Sequence, residues 1–255
     1  LFEAPEGKLL VGTDLSGIEA CMLAHFLHPF DNGVYADVVL HGDIHSLNVD
    51  AFKKYAGYTI SRRDSKTIYY AWCYGAQDMK LGQEAVDSSE EAARYFKSRL
   101  ASLRRQMDEQ KAHATAYRAV GKAIRNAFEQ GISGLDKLTD TVQKASEKGY
   151  LSVLDGHRIP VRKKYAALNT LLQGSAAIVM KRWVVKTINY CNAFIPSAEL
   201  LAVIHDEMQM AVAEEDAERY SAVSVDLIAQ SGKHYDLKIP LTGEAKIGKT
   251  WQETH

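Results

Sequence analysis

The sequence has no excess of basic residues. Its 31 lysines and arginines are balanced by 32 aspartates and glutamates, which gives a formal net charge of −1. A general nucleic-acid binder usually carries a basic excess, so the composition alone argues against that class. The negative charge of acidic residues that hold divalent cations can nevertheless offset the positive charge of a basic groove in the net charge of the chain.

Closely spaced cysteines and long apolar runs are also missing. The three cysteines, Cys21, Cys73 and Cys191, form no CxxC pair of the kind that binds zinc. An odd number of distant cysteines indicates a reduced protein, so we expect a cytoplasmic location. No apolar run approaches the ~18 residues of a membrane helix, and no signal peptide or internal repeat is recognisable. We therefore expect no membrane association.

The hydrophobic pattern predicts an α+β fold in which helices dominate over a small antiparallel sheet. Short apolar runs predict strands at residues 9–11, 200–204 and 208–212, and a last strand is expected near residues 237–239. Helical patterns are expected at residues 16–28, ended by Pro29, and at residues 34–55, 61–75, 88–130 and 166–190.

Acidic residues stand at the ends of two predicted strands. Asp14 follows the first strand, and Asp206 and Glu207 occupy the turn between the two late strands. If these strands are neighbours, their carboxylates meet at one edge, and Mg²⁺ binds such oxygen ligands together with substrate phosphates. Two ions held there would support in-line phosphoryl transfer. Acids at strand ends are more often only solvated, so this pattern alone leaves both interpretations open.

Residues at intervals of four mark one face of the helix predicted at 61–75: Arg62, Lys66, Tyr70 and Tyr74. Because Arg62 and Lys66 come first, two cations lie near the helix N-terminus, where the helix dipole also favours anions. Such a face can hold a triphosphate, with Tyr70 one turn further along beneath the sugar and base. An amphipathic surface helix with a solvated basic face is the alternative that the spacing alone favours.

Taken in order, three short patterns resemble the polymerase motifs of family A, the Pol I family of DNA polymerases. The first is Asp-x-Ser-x-x-Glu after a strand, at residues 14–19. The second is Arg-x3-Lys-x3-Phe/Tyr-x3-Tyr-Gly at residues 62–75, and the third is His-Asp-Glu at residues 205–207. Further matches to the phage replicative branch are Leu-Ala-His-Phe at 23–26, Gly-Asp-Ile-His at 42–45 and Ala-Leu-Asn-Thr-Leu-Leu-Gln at 167–173.

This resemblance covers essentially the whole chain and implies the right-hand fold of a polymerase without its thumb. Residues 1–33 and 151–255 would form the palm, and residues 34–150 would form helical fingers. The implied activity is template-directed addition of deoxynucleoside triphosphates to a primer 3′-hydroxyl with two Mg²⁺ ions. Primer–template DNA and deoxynucleoside triphosphates are then the partners, in the host cytoplasm if the chain is phage-encoded.

Carried over position by position, the resemblance implies roles for residues of all three motifs. Asp14, Asp206 and the Leu15 carbonyl would bind the metals, and Glu207 would support the primer end as a further catalytic residue. Lys66 would contact the triphosphate and donate a proton to pyrophosphate. The residues expected at the incoming nucleotide are Leu15, Ser16, Gly17, Glu19, His45, Arg62, Lys66 and Tyr70.

Two residues would set the choice of nucleotide. Glu19 would exclude a ribose 2′-hydroxyl and hydrogen-bond Tyr70, since a clash together with an unpaired buried polar group is costly. Tyrosine rather than phenylalanine at position 70 suggests tolerance of nucleotides without a 3′-hydroxyl.

Minor-groove contacts would check pairing shape without reading sequence, because the acceptors there are alike for all base pairs. The residues expected to contact primer–template DNA are Tyr74, Gly75, Asn169, Gln173 and His205.

The sequence departs from the family pattern in two places. Cys21 stands where the family usually has an arginine two residues after Glu19, which puts that arginine's support of the palm in doubt. The chain also begins only a few residues before Asp14. By comparison with the family pattern, we expect the thumb, the first part of the palm and any exonuclease domain to lie outside this sequence. We therefore expect a second polypeptide or a preceding segment to supply them. A split gene, cleavage or trimming would each explain Leu1 as the first residue.

Other functions fit parts of the pattern. A metal-dependent nuclease or phosphohydrolase would use Asp14, Asp206 and Glu207, but it gives the basic helix no purpose. A non-catalytic DNA-binding remnant of a polymerase is favoured only by Cys21. A single-subunit RNA polymerase is a more closely related alternative, but Glu19, which would exclude a ribose 2′-hydroxyl, favours a DNA polymerase.

Overall fold

The computed structural model describes residues 2–255, and the chain divides into two compact units. Helices dominate and the larger sheet is antiparallel, so the predicted α+β class is confirmed. None of the helices described is both long and apolar enough to span a bilayer. Unit 1 comprises residues 2–25, 152–158 and 174–255, and unit 2 comprises residues 26–151 and 159–173.

The described residues contain eleven α-helices, and a short π-helix, Phe52–Ala56, directly follows the third of them. The helices are α1 (Ile18–Asp31), α2 (Val34–His41), α3 (Ile44–Ala51), α4 (Arg62–Cys73), α5 (Asp78–Ser88), α6 (Glu90–Leu103), α7 (Glu109–Gly131), α8 (Leu135–Ala145), α9 (Ala167–Phe194), α10 (Ala217–His234) and α11 (Trp251–Thr254).

The strands in the described part of the chain are β1 (Lys8–Leu15), β2 (Tyr150–Ser152), β3 (Arg158–Pro160), β4 (Glu199–Ile204), β5 (Glu207–Ala213) and β6 (Gly243–Gly248). β2 and β3 form a two-stranded sheet, and the other four form an antiparallel sheet in unit 1 with the order β4-β5-β1-β6. β1 and β5 are neighbours whose register aligns Asp14 with Glu207. The strand ends that carry the acids of the first and third motifs therefore lie side by side.

One side of the unit 1 sheet is covered by helix α10. The hydroxyl groups of Thr13 on β1 and Ser224 on α10 lie 2.8 Å apart and are buried. The indole of Trp183 on α9 donates to the carbonyl of Ser224 at 3.0 Å, and Trp183 is fully buried. These three polar groups therefore satisfy one another where α9 and α10 pack in unit 1.

An aromatic cluster holds α4 in unit 2. The ring of Phe128 on α7 lies 5.0 Å from that of Phe52 and 4.9 Å from that of Trp72, measured between centroids. Tyr69 contacts the same ring, and its hydroxyl lies 2.9 Å from that of Tyr35. Burial of several aromatic side chains contributes several kcal/mol in total. This cluster fixes which face of α4 turns inward.

Helices α5 and α7 cross at two glycines. A Cβ on Gly82 would overlap the carbonyl oxygen of Tyr117, and a Cβ on Gly121 would overlap the carbonyl oxygen of Asp78. Only glycine permits backbones to approach this closely. The crossing anchors α5, which begins three residues after Gly75, against the long helix α7.

The predicted end of the first helix was wrong. Pro29 lies inside α1, which continues to Asp31. Proline removes one main-chain donor, but a helix survives that loss near its end. The helix ends instead at Asn32 and Gly33, which both adopt left-handed backbone conformations with φ of 55° and 87°. The Asp31 carboxylate accepts the N–H groups of Gly33 and Tyr35, which stabilises the turn.

The strand predicted near residues 237–239 is also wrong, since the last strand is β6 at Gly243–Gly248. Ile239 and Leu241 are buried without belonging to a strand, and Leu241 packs against Gly232 at the end of α10. The apolar residues of this loop fill the core, whereas β6 is rich in glycine and charge. Sequence patterning also assigned no element to residues 217–234, which form α10.

Candidate active site

The acids of the first and third motifs meet at one end of the unit 1 sheet. The main-chain N–H of Leu15 donates to the carbonyl of Asp206 at 2.9 Å, and Asp14 is aligned with Glu207. His205 adopts a left-handed conformation with φ of 54°, which allows the tight turn between β4 and β5. The structure therefore brings Asp14, Leu15, Asp206 and Glu207 together, with His205 exposed beside them.

The Asp14 carboxyl sits in a negative environment. Partial burial, together with repulsion from Asp206, Glu207 and Glu244, raises the pKa of Asp14 to about 6, and His255 partly opposes the shift. Asp14 thus lies in the electrostatic field of the other three carboxylates. A divalent cation would relieve this repulsion, so the donor set fits a magnesium site.

The donors supplied by the protein are few. Among residues 2–255, no group of three or more histidine, cysteine or acidic side chains is arranged to hold a metal ion. Asp14, Asp206 and the Leu15 carbonyl instead offer two carboxylates and one main-chain oxygen. Mg²⁺ is often bound through one or two carboxylates and completed by water and substrate phosphates. The arrangement therefore suits ions that bind together with a nucleotide.

Replacing Asp14 with asparagine is expected to stabilise the metal-free protein at pH 8. The raised pKa means that the folded state binds a proton more tightly than the unfolded state, so stability is lost as pH rises from about 4 through about 6. Asparagine removes that charge. After allowance for solvent screening, we expect Tm to rise by roughly 2–4 °C at pH 8 and to stay unchanged below about pH 4.

Thermal unfolding in chelator, followed by circular dichroism at both pH values, measures this effect. Asp226, an exposed acid on α10, provides the matched control in Asp226→Asn. A lower Tm for Asp14→Asn at pH 8 would contradict the repulsion among these acids.

Glu207 is buried and both its carboxylate oxygens have partners. The Gln209 side-chain amide donates to one oxygen, and Nδ1 of His255 lies 2.7 Å from the other. Sequence analysis missed Gln209 and His255, as well as Glu244 beside Asp14. Gln209 had a signal, because residues two apart on a strand share a face. The other two come from distant segments, so nothing in the local sequence marks them.

The remaining residues of the first motif form the connection between β1 and α1. The N–H of Ser16 donates to the carbonyl of Thr242 at 3.0 Å, and Gly17 adopts a left-handed φ of 57°. Glu19 is buried in the first turn of α1. Burial raises the pKa of Cys21 to about 12, and the charge of Glu19 adds to the shift. Cys21 is thus a core residue close to the Glu19 carboxylate.

In unit 2, the structure brings His45 close to the two cations of α4. Burial lowers the pKa of His45, Asp43 opposes the shift, and Arg62 and Lys66 lower it further. His45 is therefore neutral at pH 7 beside two positive charges. Arg62 donates through Nε to Asp43 at 2.5 Å, whereas exposed Lys66 has no ion-pair partner among residues 2–255. This combination of donors suits an anion such as phosphate.

The C-terminal end of α4 carries the aromatic residues of the second motif. The rings of Tyr70 and Tyr74 are stacked with centroids 6.4 Å apart, and Tyr74 is exposed. Asn169 on α9 donates through its side-chain amide to the carbonyl of Cys73 and packs against Gly75, whose φ is 85°. The structure thus brings Asn169 to the end of α4, beside the segment that contains Tyr74 and Gly75. Gln173 is exposed one turn further along α9.

Comparison with known proteins identifies the family. The model of DNA polymerase family A matches residues 1–253. The chain is 32% identical over 251 residues to the DNA-directed DNA polymerase of Enterobacteria phage T3 and 30% identical to that of Escherichia phage T7. Each match covers 96% of this chain and 33% of the phage protein.

A more distant relative is the DNA polymerase I of Borreliella burgdorferi, which is 26% identical over 262 residues. That match covers the whole of this chain and 26% of the bacterial protein. The chain thus spans about a third of the length of the phage relatives and less of the bacterial one. The resemblance carried by the three motifs is confirmed, and the chain belongs to DNA polymerase family A.

Proposed function

We propose that this chain carries out template-directed DNA synthesis, adding deoxynucleoside triphosphates to the 3′-hydroxyl of a primer as part of a DNA polymerase. One observation carries the proposal: Asp14 and Glu207 are paired across neighbouring strands, next to Asp206, in a family A chain. Carboxylates held at adjacent strand ends form a rigid acidic site, which phosphoryl transfer requires.

Asp14, Asp206 and the Leu15 carbonyl are the residues that would hold two Mg²⁺ ions. When bound, such ions activate the primer hydroxyl and stabilise the leaving pyrophosphate. The pair of strands fixes both carboxylates before substrate arrives, so little ordering is left to occur during the reaction. The raised pKa of Asp14 supports this role, because burial and the negative charge of the neighbouring acids both contribute to it.

Residues of α4 and α3 would bind the triphosphate of the incoming nucleotide. Arg62 and Lys66 supply positive charge, and His45, whose pKa both cations lower, lies within their electrostatic influence. Asp43 orients the Arg62 guanidinium through two hydrogen bonds. Lys66 would donate a proton to pyrophosphate. Ser16 and Gly17 of the first motif, with Tyr70 of the second, would contact the nucleotide as well.

Contacts to the primer–template end would come from two groups of residues. Tyr74, Gly75 and Asn169 are already assembled in unit 2, with Gln173 one turn along α9. His205 is exposed at the tip of the β4–β5 turn in unit 1. Amide and imidazole donors in these positions suit minor-groove acceptors, which every base pair presents alike.

Glu19 is expected to exclude ribonucleotides. Its burial at the start of α1 supports this role, because a 2′-hydroxyl would meet a desolvated carboxylate. In Glu19→Ala, incorporation of ribonucleotides relative to deoxynucleotides should rise by roughly 100-fold. The measurement is the ratio of kcat/KM for matched ribo- and deoxynucleotides, with the exposed Glu215→Ala as control. An unchanged ratio would show that Glu19 does not exclude ribonucleotides.

A second polypeptide, or a preceding segment, would complete the polymerase, since this chain spans about a third of its phage relatives. The edge strand β4 exposes Leu200, Leu201 and Val203 by 40%, 49% and 44%. Apolar edge strands of this kind are rarely left open to solvent. The polypeptide that supplies the remaining parts, the thumb and first part of the palm among them, would cover β4. The assembled enzyme would act in the cytoplasm of the host cell.

Primer extension tests the proposal. The chain, alone and together with the polypeptide that completes it, is given primer–template DNA, Mg²⁺ and the four deoxynucleoside triphosphates. We expect template-dependent addition that is strongest in the complete assembly. Hydrolysis of DNA without nucleotide addition would favour a nuclease instead, and processive synthesis by the isolated chain would remove the need for a partner.

A further inference from the structure

A buried network surrounds the third acid of the candidate site. The side-chain amide of Gln209 donates to Oε1 of Glu207, and Nδ1 of His255 lies 2.7 Å from Oε2. Glu207 and Gln209 are 6% and 3% exposed, whereas the His255 side chain is largely exposed. Gln209 is therefore the buried partner that determines how the Glu207 carboxylate is turned.

The amide of Gln209 is itself oriented by helix α11. The hydroxyl of Thr254 donates to Oε1 of Gln209 at 3.2 Å, which leaves the amide nitrogen directed at Glu207. Thr254 also contacts the carbonyl of Trp251 within α11. The amide has one favourable orientation, because reversing it would place its oxygen against the Glu207 carboxylate, where neither group can donate.

Gly12 provides the space for this network. It is aligned with Gln209 in the β1–β5 register. A Cβ at position 12 would overlap the amide nitrogen of Gln209 and would lie 2.6 Å from the carbonyl oxygen of Thr254. The side chain of Gln209 therefore lies across β1 between the sheet and α11, in a place that any larger residue at position 12 would fill.

We propose that Gln209 is a positioning residue, which holds the carboxylate of Glu207 in the orientation used for nucleotide addition. The proposal rests on the function proposed above for Glu207. A buried carboxylate that loses a donor must find another partner or move toward solvent. Partners of this kind commonly contribute 10- to 100-fold to activity when they orient a reacting group.

The test is a double-mutant cycle between positions 207 and 209. Methionine has nearly the volume of glutamine but makes no comparable hydrogen bond, so Gln209→Met removes the contact and preserves packing. In the assembled polymerase we expect Gln209→Met to lower kcat by roughly 10- to 100-fold and to leave KM for the nucleotide within about twofold. In a Glu207→Ala background the same change should alter kcat less than about twofold.

Gln230→Met is the matched control, because Gln230 is hydrogen-bonded to Lys186 and Asp226 and not to an acid of the candidate site. An equal loss of kcat from Gln209→Met in both backgrounds would overturn the proposal, since a merely structural glutamine acts independently of Glu207. If Gln209→Met does not fold, Thr254→Val takes its place and should show a smaller loss with the same dependence on Glu207.

Denaturant unfolding in chelator gives a second readout that needs no activity. Gln209→Met should cost less stability in the Glu207→Ala background than in the wild type, and equal costs would contradict the contact. A wild-type assembly that adds no nucleotides overturns the proposed function, and the positioning role falls with it. An active wild type with additive effects on kcat overturns the positioning role alone.

Discussion

Replacing Asp206 with asparagine is expected to lower the rate of nucleotide addition by at least about a thousandfold. Asn keeps the shape of the side chain but carries no charge, so the acidic site loses one of the two carboxylates proposed to hold Mg²⁺. Stabilisation of charge by bound metal is worth several kcal/mol in phosphoryl transfer. Each 1.36 kcal/mol corresponds to about a tenfold change in rate.

Single-turnover extension of a primer by one nucleotide measures the loss. The main-chain carbonyl of Asp206 accepts the N–H of Leu15, and this contact survives the substitution. Tm should therefore not fall, and at pH 8 it should rise slightly, because the charge that repels Asp14 is removed. Asp226→Asn is again the matched control, because Asp226 is an exposed aspartate of the same unit. Activity within tenfold of wild type in Asp206→Asn would remove the metal assignment and with it the proposed mechanism.

A lower affinity for divalent cations provides a separate measure of the same site. Titration of Mn²⁺ in the presence of a deoxynucleoside triphosphate should show weaker binding in Asp206→Asn than in the wild type. The residues proposed to hold the ions would then be tested without any chemical step.

The positions of the acids along their strands could be predicted from the sequence because that geometry is local. A strand that ends at Asp14 and a hairpin that turns at Asp206 determine where each carboxylate lies along its strand. One further condition is needed, namely that β1 and β5 are neighbours. Sequence patterning does not reveal strand order, so only the observed register could establish that Asp14 is aligned with Glu207.

Partners from distant segments were beyond the reach of sequence reasoning. His255 and Glu244 affect the acids of the site, yet they follow Asp14 by more than two hundred residues. Similarly, nothing in the local sequence marks Asp43 as the partner of Arg62, because Asp43 caps α3 whereas Arg62 begins α4. Spacing within one helix or strand predicts a shared face, and it contains no information on what packs opposite that face.

The errors in secondary structure have a related cause. Pro29 predicts the end of the first helix, but α1 continues to Asp31 and ends only at the left-handed Asn32. Ile239 was assigned to a strand because it is apolar and β-branched, but it fills the core from a loop. Tertiary packing overrode local propensity in both places.

A large loss of activity is also expected when Lys66 is replaced. Lys66→Leu is expected to lower kcat/KM for the incoming nucleotide by roughly 100- to 1000-fold, because it removes both a positive charge at the triphosphate and a proton donor. The side chain is exposed, so the fold should be unaffected. Lys80→Leu, which removes an exposed lysine paired only with Glu84 on α5, is the matched control.

Arginine at position 66 separates the two roles. Lys66→Arg keeps the charge, but arginine does not release a proton in proteins. We therefore expect KM to return to within a few fold of the wild type while kcat stays about 100-fold lower. Full kcat in Lys66→Arg would show that charge alone suffices and would dismiss the proton donor. Unchanged kcat/KM in Lys66→Leu would instead exclude the contact with the triphosphate, and the anion-binding role of α4 would then rest on Arg62 and His45 alone.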